Sequence, residues 1–176
     1  AAAAWSEWMV ELERATPTDS RINVLAREGW RTVGTARYDI EGGVLHGRGN
    51  EPRNSFHVYP DAIADFELEL EFKAAPGSNS GIQVRSAVTE DDAAVRGYQI
   101  EIDTSERGWT GGLYDELRRG WLEPLADDPV ARSALMPDRW NHLRVVMEGP
   151  HVRTWVNGIP CVDAYDATDL EGILAL

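Results

Sequence analysis

Thirty acidic residues against seventeen basic ones give this 176-residue chain a formal net charge of −13, which argues against nucleic acid or an anionic membrane surface as partner and leaves neutral ligands such as carbohydrates compatible. The length suits one domain with a core of its own, and the single Cys161 excludes an internal disulfide. No apolar run approaches the roughly 20 residues of a membrane-spanning helix, and no basic-then-apolar leader opens the sequence.

The first segment, AAAAWSEWMVELERATPTDS, differs from the rest. Trp5, Trp8, Met9 and Leu12 recur at helical spacing before TPTDS breaks the pattern. The spacing predicts a short amphipathic helix and linker over residues 1–20, an extension whose functional alternative is docking on a protein partner. Residues 21–176 then form one β-sandwich domain.

From Gly29 onward short apolar runs alternate with Gly, Pro, Asn and Asp clusters. YDIEGGVLHGRG reads as a hairpin turning at Gly42-Gly43, and NSFHVY reads as a strand. In DFELELEF, Phe66, Leu68, Leu70 and Phe72 share one face and Glu67, Glu69 and Glu71 the other, as in a sheet with one wet side. SGIQVRS, YQIEID, NHLRVVME, HVRTWV and IPCVDAY follow the same style. RGWTGGLYDELRRGW reads as a glycine-dense loop, DDPVARSAL as the one short helix of the β domain, and Asn157-Gly158 as a two-residue hairpin. Many short strands and almost no helix predict an all-β fold, a two-sheet antiparallel sandwich of jelly-roll type. One sheet of such a sandwich can present a hollow outer face to a ligand.

Strand parity says what would line it. Tyr98, Ile100 and Ile102 point to the core, so Gln99, Glu101 and Asp103 share the opposite face. On the neighbouring run Gln83 and Arg85 take the same parity, which predicts Arg85 beside Glu101 or Asp103, with Asn79 at the head of that strand. A mixed amide, carboxylate and guanidinium surface suits hydroxyl recognition. Trp109, Tyr114 and Trp121 follow in the glycine-rich loop, where they either stack on sugar rings or pack the loop onto the sandwich.

The spacing Glu101-x-Asp103-x-x-Glu106 resembles the catalytic stretch of laminarinase-type glycoside hydrolases, with the first Glu as nucleophile, the Asp tuning it and the last Glu as acid/base. Strict alternation puts Glu106 on the wrong face, so that mechanism requires a bulge.

A longer ordered match runs through NSGIQVR (79–85), GYQIEID (97–103), GGLYDE (111–116) and WNHLRV (140–145). Over residues 29–176 the chain resembles the 3-keto-disaccharide hydrolase family. The resemblance implies a concanavalin-like jelly roll and cleavage of a glycoside already oxidised to a ketone at C3: a base takes the acidified C2 hydrogen, the C1 substituent leaves, and water adds back. It places Glu101 as the base or a hydroxyl acceptor, with Arg85 and Asp103 completing the catalytic set. Arg85 would hold the carboxylate or the developing oxyanion. Asn79, Gln83, Gln99, Trp109, Tyr114, Asp115, Arg118 and Trp121 become sugar contacts. It also implies a periplasmic or secreted compartment, which the residues themselves do not indicate.

The chain departs from the family in two places. RINVLAREGW carries Arg27-Glu28 where members have an Asp-Gly turn. Members also run on past the strand matched by GILAL into a His-bearing stretch and a closing strand, which predicts a domain lacking that strand. His46, His57, His142 and His151 are scattered, so no cofactor is evident and a divalent metal finds no ligand spacing. From a different class, a non-catalytic carbohydrate-binding or interaction module fits the same scaffold.

Overall fold

A computed structural model describes residues 6–11 (backbone only), 28–49 and 54–176. In chain order the elements are β1 (Ser6–Glu11), β2 (Arg31–Val33), β3 (Arg37–Glu41), β4 (Val44–Gly49), β5 (Phe56–Ile63), β6 (Phe66–Ala74), β7 (Asn79–Val88), β8 (Val95–Asp103), β9 (Leu113–Glu116) and β10 (Gly120–Glu123). A short helix α1 (Pro129–Arg132) follows, then β11 (Asn141–Glu148), β12 (His151–Val156), β13 (Ile159–Tyr165) and β14 (Gly172–Ala175). Two antiparallel seven-stranded sheets stack, in the orders β13-β12-β11-β6-β1-β4-β3 and β10-β9-β8-β7-β14-β5-β2. The fold is the expected all-β jelly-roll sandwich.

Alternation builds the core. Leu70 and Phe72 of β6 and Leu143, Val145 and Met147 of β11 meet Tyr98, Ile100 and Ile102 of β8 and Ile82 and Val84 of β7. Burying each such side chain contributes about 1.5–3 kcal/mol. The outward acids of β6 stay wet, and Arg144 Nε sits 2.6 Å from Glu67 on the neighbouring strand. Turn chemistry follows the sequence. Asn157 and Gly158 adopt positive φ of 50° and 78° in the β12–β13 turn. Asp128 caps α1, its side chain accepting from Val130 N at 3.0 Å and Ala131 N at 2.9 Å.

Two segments differ from the sequence reading. Ser6–Glu11 form a strand, not a helix, between β4 and β6, with Trp8 opposite Gly47 on one side and Ala74 on the other. Strand pairing on both flanks satisfies backbone groups of three strands at once, which outweighs a short helical pattern. The same residues also alternate, with Glu7 and Glu11 on one parity and Trp8 and Val10 on the other. The remaining residues of 1–20, and the boundary expected at 20–21, lie outside the described residues. The supposed loop around 111–121 is instead the β9–β10 hairpin, which pairs Tyr114 with Trp121.

A third difference governs the site. Between Val84 and Ala87 the β7–β8 register slips by one residue, and Arg85 takes φ 46°. This bulge breaks the parity on which Arg85 was placed.

Candidate active site on the outer face of β7 and β8

The outer face of the second sheet is lined as alternation requires. Gln83 opposes Gln99, and Gly81 opposes Glu101. Backbone bonds fix Glu101 on its other side: its N–H donates to Gly112 O at 3.0 Å, and Gly111 N–H donates to its carbonyl at 2.8 Å.

Glu101 is only 3% exposed, and both of its carboxylate oxygens accept hydrogen bonds. Asn79 Nδ2 donates to Oε1 at 2.7 Å, Arg107 Nη2 to Oε1 at 2.8 Å, and Gln99 Nε2 to Oε2 at 3.0 Å. Among the described residues Oε1 therefore has two donors and Oε2 one. Burial pushes the Glu101 carboxyl above the usual range, and the hydrogen bonds from Gln99 and Asn79 and the charge of Arg107 pull it back only in part.

Asp103 is tuned the other way. Burial again raises it, but hydrogen bonds from Ser105 and Arg107 outweigh that and hold it below its ordinary value. Ser105 N–H reaches Oδ1 at 2.9 Å and Arg107 Nε reaches Oδ2 at 2.7 Å. Thr110 locks the strand end, its Oγ accepting from Asp103 N and donating to Asp103 O, both at 2.9 Å. Two carboxylates two residues apart are thus pushed in opposite directions by their surroundings.

Arg107 is the residue that sequence reasoning missed. Its guanidinium bridges both acids and lies over Trp109, 4.7 Å from the ring centroid, and Trp121, at 5.0 Å. Trp109 meets Trp121 edge-on at 4.7 Å, and Tyr114 meets Trp121 at 5.1 Å. The three aromatics form a wall beside the acids, with Arg107 partly exposed in front of it. The signal was a turn: a Gly108 N–H to Ser105 O bond folds the chain back so that residue 107 faces residues 101 and 103.

Arg85, expected here, points elsewhere. Its side chain is fully buried and donates to Ala64 O at 2.7 Å, Gly149 O at 2.5 Å and Asp65 Oδ1 at 2.9 Å. The bulge turns it away from Glu101, and it ties together the connections at the end of the sandwich. Asp115 and Arg118 are also displaced from the sugar-contact role. Asp115 takes the inward parity of β9 and is completely buried. It pairs with Arg118 Nε at 2.6 Å and with Arg119, which also engages Asp166. Glu106 is exposed in the 105–108 turn. The bulged continuation that the laminarinase-type pattern needs is absent there, because the strand ends at Asp103.

A cavity of about 150 Å³ adjoins the site on the Asn79 side, lined by Asn79, Gly81 and Gln99 and walled by Tyr38, Arg48 and Asn54. His57 lies between the rings of Trp30 and Tyr38, at 4.8 and 4.7 Å. Among the described residues, no three His, Cys, Asp or Glu side chains gather as a metal-ligand group. The positive charge between the two acids is that of Arg107.

The model of the 3-keto-alpha-glucoside-1,2-lyase-like domain matches residues 25–176. The chain belongs to this family. No curated protein matches the sequence. Among solved structures, this lyase-like domain is similar to two candidate glycosyl hydrolases from Parabacteroides distasonis ATCC 8503. One is 17% identical with a TM-score of 0.58, covering 84% of this chain and 90% of that one. The other is 16% identical with a TM-score of 0.58, covering 84% and 80%. It is also similar to the carbohydrate-binding module CBM66 from Bacillus subtilis, 22% identical with a TM-score of 0.53, covering 84% and 85%. At these identities the likeness is one of fold.

Proposed function

We propose that this lyase-like domain cleaves 3-keto-glycosides on the face formed by β7, β8 and the 105–108 turn. One observation carries the reading: Glu101, with its proton affinity raised by burial, shares Arg107 with an Asp103 tuned the other way. A carboxylate whose proton affinity is raised is the better base for a carbon acid. Among the described residues Glu101 Oε2 has one donor against two on Oε1, which makes it the oxygen better able to take a proton. In this reading Oε2 takes the C2 hydrogen of the ketosugar, and the C2–H electrons move into an enolate on the C3 oxygen. The enolate then expels the C1 substituent as the C1–O bond breaks, and protonated Glu101 returns the proton to the leaving oxygen. Water adding across the new C1–C2 double bond completes hydrolysis. Arg107 supplies a donor for the developing oxyanion, and Asp103 holds Arg107 in place. Trp109, Trp121 and Tyr114 offer aromatic faces to the C–H side of the ring.

A second reading, carbohydrate binding without turnover, is favoured by a different observation. Arg107 stands in front of Glu101, so the partly exposed guanidinium and its aromatic wall are what a ligand meets first. The test is to incubate the protein with 3-keto-trehalose or a 3-keto-glucoside and follow sugar release by mass spectrometry, with the unoxidised sugar and a β-glucan in parallel. Release from the keto-sugar alone supports cleavage. Saturable binding with no release in any arm supports the binding module, and release from the β-glucan would overturn both.

A further inference from the structure

Behind Glu101 lies a chain of buried polar side chains that neither reading uses. Gln99 Nε2 donates to Glu101 Oε2, Gln83 Nε2 donates to Gln99 Oε1 at 2.7 Å, and Ser86 Oγ donates to Gln83 Oε1 at 2.9 Å. Gln83 is 1% exposed, so no ligand reaches it. The β7 bulge creates this line, because it returns Ser86 to the face of Gln83 while turning Arg85 away. Gly81 makes room for it. A Cβ there would stand 2.5 Å from Gln99 Cγ and 2.9 Å from Gln99 Nε2.

The order of donors follows from chemistry alone. An ionised carboxylate only accepts, so Gln99 must offer its NH2 to Glu101 and its oxygen to Gln83. Gln83 must then offer its NH2 to Gln99 and its oxygen to the Ser86 hydroxyl. If Glu101 gains a proton on Oε2, every link can reverse. Gln99 accepts from Glu101, both amides rotate, and Ser86 Oγ accepts from Gln83. The Ser86 proton then has two backbone acceptors waiting, Val84 O and Tyr98 O, both at 3.1 Å. Each oxygen of the relay keeps a hydrogen-bond partner in both states.

We propose that Ser86, Gln83 and Gln99 form a hydrogen-bond relay that reverses direction when Glu101 exchanges its proton, with Gln83 and Ser86 acting as positioning residues through Gln99. The inference concerns the same carboxyl as the proposed cleavage, but it rests on the ligand-free geometry and is tested without substrate. The charged groups at Glu101 are Asp103 on its own strand and Arg107 from the turn. β7 presents the neutral Asn79, Gly81 and Gln83, and β9 presents Tyr114 and, further along, Glu116.

The experiment is an NMR titration of the Glu101 side-chain carboxyl and the glutamine side-chain amides in the full chain. The Gln83 amide resonances, one glutamine removed from the Glu101 carboxylate, are expected to shift with the Glu101 midpoint, and that step is expected to vanish in Glu101→Gln. Gln83→Leu weakens the charge-assisted bond to the ionised form more than its neutral counterpart, so the Glu101 midpoint is expected to rise by about half a unit. Gly81→Ala, whose added Cβ would press on the Gln99 side chain, is expected to move it the same way. Gln83 amides that stay flat through the Glu101 transition, or a Gln83→Leu or Gly81→Ala protein that folds with an unmoved midpoint, would overturn the relay. Failure of the protein to cleave a keto-sugar would leave these readings untouched.

Discussion

Arg107 Nη2 stands 2.8 Å from Glu101 Oε1, and the Nε of the same guanidinium stands 2.7 Å from Asp103 Oδ2. One cation therefore joins two buried acids and presents its remaining edge beside Trp109 and Trp121. Arg107→Lys keeps the charge but cannot span both acids while lying flat on the rings. Loss of one charge-assisted contact corresponds to about 10–100-fold in affinity. Calorimetric titration with the keto-sugar checks this, with a retained melting transition showing that the fold survives.

Asp103 and Glu101 give stability opposite pH dependences. The folded-state pKa of Asp103 is lowered, so the folded form binds its proton less readily than the unfolded chain does. Its contribution is present above the ordinary carboxylate range and is lost as pH falls through the folded value. Glu101 is raised, so stability declines as pH rises from the ordinary range through its folded value. Urea unfolding across the acid range is expected to show a flattened acid limb in Asp103→Asn. In Glu101→Gln the decline that accompanies Glu101 ionisation should disappear.

Asp115 is a structural residue, and its variants should read out in stability rather than in ligand binding. It is wholly buried between Arg118 and Arg119, which reach onward to Asp169 and Asp166. Asp115→Ala is expected to cost about 2–3 kcal/mol. That is at or below the low end for removing one member of a buried ion pair, because both guanidiniums retain some water. Denaturant midpoints measure it.

Arg85→Lys separates the bulge from the site. A lysine cannot reproduce the fork onto Ala64 O, Gly149 O and Asp65. A lower melting temperature with unchanged keto-sugar affinity is expected. A loss of affinity with unchanged melting would restore Arg85 to the site.

The parts legible in the sequence are those governed by alternation and by local turn chemistry. Tyr98, Ile100 and Ile102 go inward, and Gln99, Glu101 and Asp103 outward, because a strand leaves no other choice. The Asn157-Gly158 turn follows because both residues accept positive φ. What was not legible depends on backbone conformations the residues do not advertise. Arg85 at positive φ is one, since arginine has no preference for that region. The return of Arg107 is another, because it takes a turn after the strand ends to aim position 107 at positions 101 and 103. The β9–β10 hairpin was obscured by its glycines, although Leu113, Tyr114, Asp115 and Glu116 do alternate between buried and partly exposed. At Ser6–Glu11 two periodicities overlap, and the flanking strands decide between them.

The proposed cleavage requires Glu101 to remove the C2 hydrogen of a 3-keto-glycoside. Its most direct test compares cleavage of a 3-keto-glucoside carrying hydrogen or deuterium at C2 by the wild-type protein and by Glu101→Gln. Slower release from the deuterated sugar is expected with the wild type, and no release of either sugar by a folded Glu101→Gln protein. Equal rates for the two isotopologues together with undiminished turnover by the variant would contradict it.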